Sequence, residues 1–141
     1  MVNAQDMEVE GITSFPSTTT TYRFSIQLKN DKISIWMEDR TSKKQWYKGN
    51  IAKCDYVTSA NTITDASASD YVKCFHDALT CTLDGSSDGH RQLRFLPGNS
   101  LRLEFVMNVH IMHSTLVAIY TFDLEPVSVE RIDVLESKLR D

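Results

Sequence analysis

The sequence predicts a mainly β fold. A small antiparallel β-sandwich or barrel of about seven strands carries one inserted helix and leads into the start of a C-terminal coiled-coil helix. Three observations predict it. Apolar and polar residues alternate over several short runs, the two-residue period of half-buried strands. One segment between those runs switches to the period of an amphipathic helix. The end of the chain is charged, with apolar residues three and four positions apart. The expected division is a β-rich head over 1–125 and the beginning of a stalk over 126–141.

Thr13 to Phe15 is expected to end a short first strand, and Thr18 to Thr21 is compatible with extended chain. Tyr22, Phe24, Ile26 and Leu28 then share one face, with Arg23, Ser25 and Gln27 on the other. Lys29-Asn30-Asp31-Lys32 has turn chemistry, and Ile33, Ile35 and Met37 alternate after it, so the two runs read as a β-hairpin. Trp36 falls on the opposite face, which must be partly covered or make a contact. Gln45 to Ile51, with Trp46, reads as the next strand.

The period changes within 61–83. Tyr71, Cys74, Phe75, Ala78 and Leu79 form an apolar helical stripe, and Ser67-Ala68-Ser69-Asp70 resembles a capping box. Residues 84–89 read as a flexible loop. Alternation resumes at Leu93 and Phe95. Pro97-Gly98-Asn99 supplies a turn, and Leu101, Leu103, Phe105 and Met107 make the next strand face. In the last strand Ala118, Tyr120, Phe122 and Leu124 oppose Val117 and Ile119.

Two stretches stand out. The connection between the last two strands contains Ile111 and Met112, apolar residues where a hairpin tip normally carries Gly, Asn, Asp or Ser. They are either core, if the strands run longer, or an apolar knob for a head-to-head contact. Beyond Pro126, suited to a first helical turn, Ile132, Leu135 and Leu139 have the spacing of a coiled-coil seam.

At 141 residues, with 41% hydrophobic and 24% charged, the chain has the size and composition of one folded domain. No apolar run approaches a bilayer span, and the polar, acidic start is neither a signal nor a transit peptide, so no membrane association is expected. The three cysteines, Cys54, Cys74 and Cys81, form no C-x-x-C pair, which suits a reducing compartment. The net charge of −4 is uneven: seven cations and three anions lie between Lys29 and Lys53. Lys43, Lys44 and Lys48 are the candidates for contact with a polyanion. A solvated strand face with Lys guarding an edge fits the same pattern.

Catalytic chemistry is hard to place. There is no Gly-rich phosphate loop, no G-x-S-x-G elbow and no H-E-x-x-H. His110 and His113 lack a nearby carboxylate or thiol and read as surface residues rather than metal ligands. His76 and His90 read as solvated, and Cys74 and Cys81 as core. No catalytic, cofactor-binding or metal residue is expected, and no cofactor.

The order of elements resembles a superfamily of dimeric head-and-stalk scaffolds. It includes the centriolar cartwheel protein, the basal-body coiled-coil domain-containing protein sixty-one, and the DNA end-joining scaffolds. The stretch from Met37 to Trp46 is similar to the basal-body protein: Glu38-Asp39-Arg40, four residues, then Gln45-Trp46. Ile119-Tyr120 with Phe122-Asp123 is similar to it too. Trp46 with Gly49, Tyr71-Val72 before Ala78-Leu79, and Phe122-x-Leu124-Glu125-x-Val127 resemble the end-joining scaffolds. An apolar tip at Ile111 and Met112 resembles the cartwheel protein.

The resemblance covers about Tyr22 to Leu139, and the direct run from Leu124 into the stalk departs from the basal-body protein. It implies a non-enzymatic homodimer joined through the stalk and by head-to-head contacts, cytoplasmic at centrioles or basal bodies, with microtubules as a partner. The alternative it implies is a nuclear scaffold that bridges DNA ends and binds repair proteins such as a ligase. A small enzyme or ligand carrier with an unrecognised site is the alternative from another class.

Overall fold

In the computed structural model of the chain, residues 6–15, 20–63, 66–80, 89–111 and 113–127 are described. The strands are β1 (Met7–Ser14), β2 (Thr21–Lys29), β3 (Lys32–Asp39), β4 (Gln45–Ile51), β5 (Gly89–Phe95), β6 (Leu101–Ile111) and β7 (Ser114–Pro126). A one-turn helix α1 (Lys53–Tyr56) and a longer helix α2 (Ala68–Thr80) lie between β4 and β5. All seven strands join one antiparallel sheet in the order β1-β2-β3-β4-β7-β6-β5, curled into a half-barrel. The expected mainly β class with one principal inserted helix is therefore what forms.

Local chemistry explains the elements. Asn30 and Asp31 both adopt positive φ (53° and 63°), the left-handed pair of a tight hairpin turn, and place Lys29 opposite Lys32. In this register Phe24, Ile26 and Leu28 meet Met37, Ile35 and Ile33 on the buried face. Positive φ at Gly98 and Asn99 turns β5 back into β6, where Leu96 N–H bonds Ser100 C=O at 2.9 Å. Ser67 and Asp70 exchange bonds at the start of α2: the Ser67 N–H donates to the Asp70 carboxylate at 2.9 Å, and the Asp70 N–H to the Ser67 hydroxyl at 3.3 Å. The expected capping box is present.

The core fills the hollow of the half-barrel. Helix α2 buries Tyr71, Val72, Phe75, Ala78 and Leu79 there. Phe75 sits at its centre, stacked on Phe105 at 4.9 Å and meeting Tyr120 and Phe122 edge-on at 5.3 and 5.4 Å. Cys74, expected as core, is only partly buried. Cys81 lies outside the described residues. His76, expected to be solvated, is half-buried with its ring 6.1 Å from that of Phe24.

Three polar residues close the curled sheet. Asn61, 6% exposed, donates to Tyr56 C=O at 2.9 Å and to Ile119 C=O at 2.8 Å, so it holds the β7 backbone. The Tyr120 hydroxyl donates back to the Asn61 carbonyl. On the other side Arg91, 4% exposed on β5, donates from Nε to Ser14 C=O at 2.7 Å and from a terminal nitrogen to Ala78 C=O at 2.8 Å. One guanidinium thus ties together β5, the end of β1 and the last turn of α2.

Several boundaries differ from the sequence expectation. β1 begins at Met7, because Met7 and Val9 alternate with Glu8 and Glu10 on a strand only half covered by the core. The last hairpin is longer than expected, with Ile111 paired to Ser114. Pro126, expected in a first helical turn, is the last residue of β7 and pairs with Trp46. A strand end tolerates Pro because little further ladder depends on its missing N–H. The next N–H, from Val127, bonds Gln45 C=O at 3.0 Å.

Candidate functional site

The β3–β4 turn, the β5–β6 turn and the end of β7 converge at one end of the half-barrel. Asp39 shapes the first turn: its carboxylate accepts the N–H groups of Thr41 and Ser42 at 2.8 and 3.1 Å. The Lys43 N–H returns to Asp39 C=O at 2.8 Å with φ of 66°. This geometry leaves Arg40, Lys43 and Lys44 exposed. The residue pattern around Glu38 and Gln45 has a structural role as well. The two face each other across the ladder, and the Gln45 amide donates to the Glu38 carboxylate at 3.2 Å. Trp36 donates its indole N–H to the Gln45 side-chain oxygen at 2.8 Å and is 4% exposed. The expected cover on the second face of β3 is thus a buried polar cluster.

Trp46 points the other way and donates its indole N–H to Asn99 C=O at 2.8 Å, fixing the β5–β6 turn against β4. Beside it Phe95 is 63% exposed, its ring edge-on to Trp46 with centroids 6.4 Å apart. Leu93 and Phe95 share strand parity, yet only Leu93 is buried, because Phe95 lies at the strand end beyond the core. Around this pair opens a groove of about 520 Å³, floored by Trp46, Phe95, Pro126 and Val127 and rimmed by Asp39, Ser42, Lys43, Lys44 and Asn99.

Of the three candidate polyanion contacts, Lys43 and Lys44 belong to this rim. Lys48 does not: it lies along β4 opposite Ile35 and near Asp123. The Asp123 carboxyl is held below the usual carboxylate range first by the bond from Arg102 at 2.8 Å, and further by the charges of Arg102 and Lys48. The side chain of Ile111 and the whole of Met112 fall outside the described residues, as do Ile132, Leu135 and Leu139. Phe95 and its groove escaped the sequence reading, because a Phe in register with Leu93 looks like core. The turn signal that follows, Pro97-Gly98-Asn99, was the available hint that Phe95 ends its strand.

Among the described residues, no three His, Cys, Asp or Glu side chains are grouped to hold a metal ion. His113 is exposed, and Cys54 and Cys74 are free thiols among the described residues, the Cys74 thiol pushed up by burial and by the nearby Asp77 and Asp70. A raised pKa works against a reactive thiolate. Among the described residues, no helix is long and apolar enough to cross a membrane.

Comparison with known proteins identifies the fold. No family model matches the chain, and no curated protein matches it. Among solved structures, the head domain of human CCDC61 superposes with a TM-score of 0.54 at 12% identity, covering 86% of this chain and 99% of that one. The likeness is one of fold.

Proposed function

We propose that this chain is the head of a non-enzymatic, homodimeric head-and-stalk scaffold of the centriole or basal-body type. The observation that carries the reading is the fold likeness to the human CCDC61 head domain, which spans nearly the whole of that domain. It is supported by the order of the sequence, since β7 is followed by a stretch whose Ile132, Leu135 and Leu139 have coiled-coil spacing. In this reading the stalk pairs two chains, and Ile111 and Met112 contact a second head. Lys43, Lys44 and Lys48 face the acidic surface of a microtubule. Many weak head contacts gain strength when stalks hold the heads together.

Localisation of a tagged chain tests the reading. Accumulation at centrioles or basal bodies is the expected result. Accumulation in the nucleus, with recruitment to DNA damage, would replace it with an end-joining scaffold. A diffuse distribution with no self-association in sedimentation would remove the scaffold reading altogether.

A further inference from the structure

The groove between the two turns has an apolar floor and a cationic rim. Phe95 is 63% exposed although it leans on Trp46, so an aromatic surface is held open to solvent. Trp46, 4% exposed and with its indole N–H engaged by Asn99, backs Phe95 from below and holds its ring in place. The acid at the rim, Asp39, accepts bonds within its own turn. Lys43 and Lys44 are exposed and, among the described residues, in no ion pair. The volume of about 520 Å³ is large enough to receive one or two side chains.

We propose that this groove docks a short acidic segment of a partner protein, with an aromatic or branched apolar side chain packed on the exposed ring of Phe95 and carboxylates on Lys43 and Lys44. Charge selects this occupant. On a chain of net charge −4, the turn from Asp39 to Lys44 carries Arg40, Lys43 and Lys44 against one aspartate. An acidic peptide is drawn to that turn, and its apolar side chain gains burial that a bare polyanion cannot. A nucleic acid would need a longer row of cations to track its phosphates, and Lys48 stands apart beside Asp123. The inference does not depend on the centriolar reading, although it assigns Lys43 and Lys44 a more specific partner than a microtubule surface.

The test is an NMR titration of the isotope-labelled chain with two blocked peptides, one with a Phe flanked by Glu and Asp, the other with Ala in place of that Phe. The Phe peptide is expected to shift the Trp46 indole and the Phe95 amide while resonances of α2 stay still. The Ala peptide should bind about tenfold more weakly, as expected when one buried aromatic is lost. Phe95→Ala should show the same weakening with an unchanged melting temperature, and Lys43→Glu with Lys44→Glu should abolish the salt-sensitive part. Equal affinity for both peptides would overturn the groove and leave only a cationic surface. Shifts that depend on protein concentration without peptide, and vanish in Phe95→Ala, would assign the groove to a second copy instead. No response to either peptide would also overturn it.

Discussion

Arg91→Met removes the guanidinium that ties β5 to the end of β1 and to α2. In the folded protein Arg91 is 4% exposed and donates to Ser14 C=O at 2.7 Å and to Ala78 C=O at 2.8 Å. A charge-assisted hydrogen bond contributes roughly 1.5–3 kcal/mol, and an acceptor left buried without its donor loses about 1–3 kcal/mol. Met keeps the apolar stem and avoids desolvating a charge, which returns part of that loss. The net expectation is a destabilisation of about 3 kcal/mol, a large share of the stability of a domain this size. Urea unfolding followed by tryptophan fluorescence measures it, with an unchanged slope against denaturant as the sign that only stability has moved. Hydrogen exchange should quicken first at the end of β1 and the last turn of α2. Arg91→Lys should fall between the two, since one ammonium cannot match a planar fork across two carbonyls. A loss below about 1 kcal/mol would refute the idea that this residue closes the half-barrel.

Other perturbations have a definite sign. The Tyr56 hydroxyl is buried and, among the described residues, has no hydrogen-bond partner, and burial, followed by Tyr71 and Asp31, pushes its pKa up to about 12. A pKa raised in the folded state gives stability that is present below about pH 10 and is lost as pH rises through the folded value. Tyr56→Phe should therefore flatten the alkaline loss without destabilising the protein at neutral pH. A matching alkaline fall in native and variant melting temperatures would sink that account. Asp70 and Asp123 run the other way. A backbone bond from Ser67 and a side-chain bond from Arg102 hold them below their ordinary value. Their stabilisation is present above about pH 4 and lost as pH falls through the lowered values, so Asp123→Asn should shrink the acid drop in melting temperature. Trp36→Phe removes the donor to Gln45 within a buried cluster and should cost about 1–3 kcal/mol by equilibrium unfolding. An effect near zero would mean that water replaces the indole there.

The sequence by itself determined the strand faces, the turns and the helix, because each rests on local chemistry. Alternation placed Phe24, Ile26, Leu28, Ile33, Ile35 and Met37 in the core, and Asn30-Asp31 and Pro97-Gly98-Asn99 at turns. The Ser67–Asp70 pair marked the start of α2. Boundaries were less legible where burial fades gradually, as at Met7 and Val9, or where pairing outlasts the local signal, as at Pro126. Tertiary structure alone decided that Phe95 is exposed while Leu93 is buried, since parity names a face but not where the core ends. It also decided that Lys43 and Lys44 rim a groove floored by Trp46 and Phe95 and that Lys48 stands apart. The closing bonds belong to the same class. Asn61 reaches Ile119 and Arg91 reaches Ser14 across 58 and 77 residues of chain. No periodicity encodes such contacts, because they exist only once the curled sheet brings distant strands within hydrogen-bonding distance.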